Sequence, residues 1–373
     1  MSKRVIVLGG GVIGLSCAFS CRMRGYQVTL LEIGRCGGQA SGAAAGMLAP
    51  FSENAESADD FFRLCLASLR LYPQWAEDVK RESGADFEYT ESGSLYAAYH
   101  EADLLAMESR LRWQREFANG ARIVDGAELR RLEPELSGKV VAAIHHPEES
   151  HIYAPHYVKA LELACRNSGV EINDGLEQVS IAEWRQDVEL RSKDGNVFRG
   201  ERLVVCSGAW TRELERTFGL DLPVYPIRGQ VCAYSVPVGT VRHMVFGSQG
   251  YVVAKENGSL VCGASEDVAG FDTTVTEKGI ARLRRWNKQL YPFLEEMEPF
   301  HRWAGLRPAT QDGYPLLGAL RDAEHIVFAA GHYRNGILLS PATGTVAADL
   351  VDGGRAEAGR LAAFAPERFT GGL

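Results

Sequence analysis

Three apolar runs in this chain end alike, in small residues and a glycine: Val5-Ile6-Val7-Leu8-Gly9, Leu203-Val204-Val205-Cys206-Ser207-Gly208 and Ile326-Val327-Phe328-Ala329-Ala330-Gly331. A run apolar at every position suits a strand covered on both faces, as in a parallel sheet, and the carboxyl ends of such strands line ligand crevices. The spacing also predicts a packing helix over 155–168. Pro155 stands in its first turn, Gly169 just past its end, and Tyr157, Val158, Leu161, Ala164 and Cys165 share one face. Two further stretches read as antiparallel sheet. The first, 87–99, breaks at Glu91-Ser92-Gly93; the second, 251–265, breaks at Asn257-Gly258, a two-residue hairpin signal that sets Glu256 opposite Ser259 and Tyr251 opposite Ala264.

Between the first strand and the helix that follows lies Gly9-Gly10-Gly11-Val12-Ile13-Gly14, a GxGxxG loop. Gly9 permits the tight turn, Gly11 admits a pyrophosphate, and Gly14 lets the helix pack closely, while the helix N-terminus offers partial positive charge. Glu32 ends a second strand, 18 residues after Gly14, where a carboxylate accepts hydrogen bonds from ribose hydroxyls and would repel the phosphate of NADP. The expected fold is α/β. A discontinuous Rossmann-type dinucleotide domain (1–84, 145–219 and 301–364) is interrupted by 85–144 and 220–300, which form a second, antiparallel-sheet α+β substrate domain. The last ten or so residues read as a loose tail.

Composition narrows the class of partner. With 373 residues, 46% of them hydrophobic, the chain can bury a large core, and its net charge of −8 gives no general attraction for nucleic acid or anionic membrane. An anionic ligand must then be held by individually placed arginines. No run reaches the roughly 18 apolar residues of a spanning helix, and the eight cysteines form no CxxC pair, so a reducing, cytoplasmic setting is expected. His145, His146, His151 and His156 match no ligand spacing and are interrupted by Pro147 and Pro155. They read as loop histidines leading into the helix at 155, and no metal is expected.

Three more stretches carry a resemblance: Ala40-Ser41-Gly42-Ala43-Ala44-Ala45-Gly46-Met47-Leu48, Trp303-Ala304-Gly305-Leu306-Arg307-Pro308 and Gly331-His332-Tyr333-Arg334-Asn335-Gly336-Ile337-Leu338. With the glycine loop, they make the chain similar to the D-amino-acid oxidase superfamily, and within it to the bacterial glycine oxidases of thiamine biosynthesis. The resemblance implies FAD, a substrate domain over the flavin ring, and oxidative deamination of a small amino acid with oxygen as electron acceptor. It implies that Val12, Ile13, Glu32, Ile33, Ala40, Ser41, Ala45, Gly46, Met47 and Val179 contact the cofactor, and that His332, Tyr333, Arg334, Asn335, Gly336, Ile337 and Leu338 pass beside the flavin. Relatives with covalent flavin need a cysteine in the C-terminal segment, and none follows Cys262, so FAD is expected to be noncovalent. The expected assembly is a homo-oligomer, with a tetramer as its candidate size.

Arg307, Tyr251 and Arg334 match the positions that hold the substrate carboxylate and its surroundings. If 301–307 is a strand, His301, Trp303, Gly305 and Arg307 share a face, and a guanidinium there is a natural bidentate clamp for a carboxylate. The segment after Gly336 reads either as one helix kinked by Pro341 or as a loop followed by a helix capped by Ser340; the resemblance favours the first, with its N-terminal amides toward the flavin. The sequence departs from the family pattern at Gln249, Glu266 and Ala49, all expected near the substrate pocket. Two competing functions share these features: an amino-acid dehydrogenase that passes electrons to a quinone, which needs a membrane-docking surface, and a tRNA-modifying flavoprotein, which the acidic charge disfavours.

Overall fold

A computed structural model describes residues 3–54, 56–354 and 361–370. Its first sheet has six strands in the order Leu316–Leu320, Ala323–Ala330, Arg202–Val205, Arg4–Leu8, Gln27–Leu31, Glu171–Asn173, all parallel except the first. The three apolar runs are its centre, and their alternate side chains divide between two cores, as a two-residue repeat requires. Val5, Val7, Val204, Val327 and Ala329 meet the helices Val12–Met23, Asp60–Ser83, Ala154–Ser168 and Gly336–Val351. Ile6, Leu8, Leu203, Val205, Ile326 and Phe328 meet a layer that includes the three-stranded meander at 179–200.

The second sheet has eight strands in the order His301–Thr310, Val224–Ser235, Ser259–Gly263, Gly250–Ala254, Met244–Gly247, Ser94–Ala98, Ala142–His146, Arg122–Asp125. It is mixed, because Met244–Gly247 and Ser94–Ala98 run parallel. Helix Glu277–Leu290 covers one face, with Ile280, Leu283, Trp286 and Leu290 packed on Cys232, Tyr234, Val252 and Cys262. A small third sheet joins Met47–Leu48 and Tyr89–Thr90 to Ser150–Ile152.

Several expectations are corrected. Strand His301–Thr310 pairs along its whole length with Val224–Ser235, so the boundary drawn at 301 falls before a strand of the second sheet. The halves of 87–99 do pair antiparallel, Tyr89–Thr90 with Ser150–Ile152 and Ser94–Ala98 with Ala142–His146, but in two different sheets, and Gly93 (φ +70°) turns the chain between them. The hairpin at 251–263 is one residue out of the expected register, with Tyr251 opposite Gly263. Its loop holds three residues, because the Gly258 amide donates to Lys255 O (3.0 Å) while Gly258 takes φ +81°, a type I turn closed by a left-handed glycine. A one-residue slip exchanges the faces of the strand, so the register decides where Tyr251 points. His145, His146 and His151 lie buried in strands rather than loops, and His156 is exposed in the first turn of its helix. The tail is docked as far as residue 370: Phe364 and Pro366 are buried and Arg368 pairs with Asp312 at 2.7 Å.

Pro341 lies inside one continuous helix, Gly336–Val351. Proline removes the bond that would have served Ile337 O. The hydroxyls of Tyr72 and Ser340 donate to that carbonyl instead, the latter at 2.8 Å.

Candidate active site

The carboxyl ends of the parallel strands and one face of the second sheet enclose a cavity of about 450 Å³. At one end, Gly9 has φ +114°, and a Cβ there would collide with the Cys206 carbonyl. A Cβ on Gly14 would collide with Gly9 O, and one on Gly10 would crowd Cys36 Sγ (2.8 Å) and Glu32 Cβ (3.0 Å), so the loop admits no side chain at Gly9 or Gly14 and only a displaced wall at Gly10. The Glu32 carboxylate accepts from the backbone amides of Gly10 (2.7 Å) and Gly34 (2.8 Å), which fixes it in the wall with further lone pairs free for hydroxyl donors. Helix Val12–Met23 starts from Gly11 with no acidic residue in its first turn, leaving its positive end open to an anion. The Val12 amide donates to Ser41 Oγ at 2.9 Å, which ties the 40–47 segment to the loop.

The expected cofactor contacts Gly9, Gly11, Val12, Ile13, Glu32, Ile33, Ala40, Ser41, Ala45, Gly46, Met47 and Val179 all line this cavity, as do His332, Tyr333, Arg334, Asn335, Gly336 and Ile337. Leu338 does not. One step along the helix from Ile337, it turns into the helical core and is buried. Gly14 acts from behind the lining, through its contact with Gly9.

At the other end lie Tyr251 and Arg307, on strands of the second sheet. Arg307 and Trp303 share the cavity-facing side, and Trp303 Nε1 donates to Ala43 O at 2.9 Å. The Arg307 guanidinium lies over Gly229, where a Cβ would stand 2.5 Å from its Cζ, and Nη1 donates to Ser265 O at 2.9 Å. Among the described residues it makes no ion pair. The Tyr251 ring lies over Gly263, where a Cβ would collide with the phenol; burial raises its pKa, against the pull of nearby Arg307. Arg334, by contrast, is committed: Nε meets Glu53 at 3.0 Å and Nη1 meets Glu266 at 3.2 Å. The Glu53 charge holds the guanidinium pKa above its usual value.

Glu53 and Trp210 line the cavity and were missed from the sequence. An isolated glycine inside a strand often marks close approach by another group, so Gly229 and Gly263 were the available signal for Arg307 and Tyr251. Lys255 was also missed. Burial lowers its pKa to about 7, and Nζ reaches Ile152 O (2.9 Å) and His151 Nδ1 (3.2 Å), tying the Tyr251 hairpin to the strand beside Met47 and Leu48. Of the three departures, Glu266 touches the lining through Tyr333 and Arg334. Gln249 sits in an exposed turn and Ala49 is buried beneath the wall. Among the described residues no helix is long and apolar enough to cross a membrane.

The comparisons with known proteins agree with this geometry. A glycine oxidase from Geobacillus kaustophilus is 34% identical over 93% of this chain and 92% of its own, and a crystal structure of glycine oxidase from that organism superposes with a TM-score of 0.92 at 32% identity, covering 98% and 99% of the two chains. The bifunctional protein ThiO/ThiG of Synechocystis sp. is 31% identical over 98% of this chain, which spans 54% of that longer protein. The crystal structure of iminodiacetate oxidase from Chelativorans sp. BNC1 superposes with a TM-score of 0.88 at 26% identity, covering 97% and 99%. The FAD dependent oxidoreductase family model matches residues 4–350. The glycine loop, the open helix N-terminus and the fixed Glu32 fit that cofactor, and the chain belongs to the family of FAD dependent oxidoreductases.

Proposed function

We propose that this enzyme oxidises the α-carbon of glycine or a similarly small amine, sarcosine, D-alanine or D-proline, in the supply of a thiazole precursor for thiamine. The observation that carries the reading is Arg307, a guanidinium on the cavity wall with no carboxylate partner among the described residues, beside the phenol of Tyr251. FAD, when bound, supplies the redox chemistry by accepting hydride from the substrate and passing two electrons to oxygen, so that glycine, oxygen and water give glyoxylate, ammonia and hydrogen peroxide. Arg307 clamps the substrate carboxylate with two parallel donors and Tyr251 donates a third hydrogen bond. Arg334 holds Glu53 and Glu266 and so shapes the pocket wall. No side chain is assigned as general base, since an amine bound neutral requires none. Residues 336 and 337 open the helix Gly336–Val351 onto the cavity and bring partial positive charge there. The flavin is held noncovalently.

The similarity to glycine oxidases and to ThiO/ThiG supports this choice of substrate and pathway. The test is anaerobic bleaching of the purified flavoprotein with each of the four amines. Bleaching by none of them overturns the reading, and so does a kcat/KM for D-phenylalanine above those for both glycine and D-alanine. Acid precipitation should leave all yellow colour in the supernatant.

A further inference from the structure

We propose that Glu266 is a specificity-determining residue that shuts a second carboxylate out of the pocket and restricts the enzyme to monocarboxylate amines. The inference deepens the proposed function and rests on its reading of Arg307 as the carboxylate clamp. The cavity has two arginines at this end but only one open to an anion. Around Arg334, Glu53 takes Nε at 3.0 Å and Nη2 at 3.2 Å, and Glu266 takes Nη1 at 3.2 Å. The Tyr333 hydroxyl, the other donor beside it, is spent on the same Glu266 oxygen at 3.0 Å.

One cation and two carboxylates therefore leave this rim with a net charge of −1. An amine carrying a second carboxylate, once clamped by Arg307, would bring that group to a surface whose net charge repels it and where Tyr333 Oη and Arg334 Nη1 are already bonded to Glu266. The two glutamates are not equivalent. The Glu53 side chain is 6% exposed and belongs to the wall, whereas Glu266 is 49% exposed and meets the lining through Tyr333 and Arg334. Neutralising Glu266 would leave no buried charge orphaned, would leave Tyr333 Oη and Arg334 Nη1 facing at most a neutral amide oxygen that a carboxylate can displace, and would bring the local charge to zero. Discrimination of this kind works by an unfavourable contact with the wrong ligand.

The experiment uses the holoenzyme, with sarcosine and iminodiacetate as substrates, which differ by one carboxylate in place of a methyl hydrogen. The wild type should prefer sarcosine in kcat/KM, and Glu266→Gln should narrow that preference roughly tenfold or more, the effect of removing one like charge at close range in a partly exposed site. Glu266→Asp, which keeps the charge, should keep the preference. Acetate and malonate form a second pair, their dissociation constants read from perturbation of the flavin spectrum; malonate should gain on acetate by a similar factor in Glu266→Gln. Ratios that move less than about twofold in both pairs, or a wild type that turns over iminodiacetate as well as sarcosine, would overturn the inference. If no amine bleaches the flavin yet malonate gains as stated, the proposed amine oxidation fails and the exclusion by Glu266 stands.

Discussion

The Glu32 end of the cavity is walled by backbone from two short stretches, around 8–14 and 31–35, whereas the Arg307 end collects side chains from distant segments: Glu53, Tyr251, Tyr333, Arg334 and Arg307 itself. The first end works through amide donors, glycines and a helix terminus. The second works through charged groups whose positions depend on strand register and on which carboxylate takes which arginine. A backbone wall binds what many dinucleotides share. A wall of side chains can be retuned one residue at a time, which suits the end proposed to take the substrate.

The most severe break should come at Arg307. Arg307→Ala should keep fold and FAD but lose about 2–5 kcal/mol of transition-state binding, the cost of leaving a desolvated charge without its partner. That is roughly 30- to several-thousand-fold in kcat/KM. Arg307→Lys should also lose most activity, since a point charge replaces a planar two-pronged donor. Inhibition by acetate or glycolate should weaken in step. Activity within about threefold of wild type would remove Arg307 as the anchor.

A second break uses pH. Glu149 is fully buried beneath the 50–53 segment that ends in Glu53, accepting from the amides of Phe51 (2.6 Å) and Ser52 (2.9 Å) and from the hydroxyls of Ser52 and Ser94. Burial raises its pKa to about 7 in spite of these donors. Because the folded value lies above the unfolded one, the folded state holds the extra proton. The stabilisation is therefore full at pH below about 4.3 and is lost as pH rises through about 7, on the order of 3 kcal/mol in all. Denaturant midpoints at pH 5 and pH 8 should diverge in the wild type and converge in Glu149→Gln; equal slopes in the two proteins would refute the assignment.

Glu32→Gln probes the opposite end. The loss of a charged acceptor should weaken FAD binding by about 1.5–3 kcal/mol, while turnover of FAD-saturated enzyme stays near wild type. An unchanged affinity for FAD, measured by titrating the apoprotein, would mean that Glu32 serves the protein's own loop through Gly10 and Gly34 and not the cofactor.

The contrast between the ends also accounts for what the sequence revealed. The glycine loop, the strand before it and Glu32 are local, so their spacing carries their geometry, and the two-faced apolar runs marked the parallel sheet. The hairpin at Asn257-Gly258 was visible, but its register turned on whether Lys255 or Glu256 closed the turn, a choice made by the left-handed glycine and the long-range pairing with Val224–Ser235. Glu53 gave no signal, since its role comes from a fold that brings it to Arg334, 281 residues away. The docked tail was equally hidden, because Phe364, Pro366 and Arg368 become informative only beside the partners that bury or bind them.

The smallest effect should come from the turn that closes the hairpin at the Arg307 end. Gly258 has φ +81°, with Val236 O 3.3 Å from where its Cβ would stand, and its amide closes the turn onto Lys255. Alanine in a left-handed conformation costs roughly 1–2 kcal/mol, so Gly258→Ala should lower the melting temperature by a few degrees. Turnover should hardly change, because Tyr251 lies at the far end of the hairpin and its register is fixed independently by the pairing of Ser259–Gly263 with Val224–Ser235 and by Lys255 on Ile152 O. Lys255→Met removes the second of those constraints. If the hairpin has one stable register, adding Lys255→Met to Gly258→Ala should lower stability further while KM for the amine moves by less than about threefold. A KM that rises in the double variant much more than in either single one would show that the turn and the buried lysine together, and not the central strand, hold Tyr251 over Gly263.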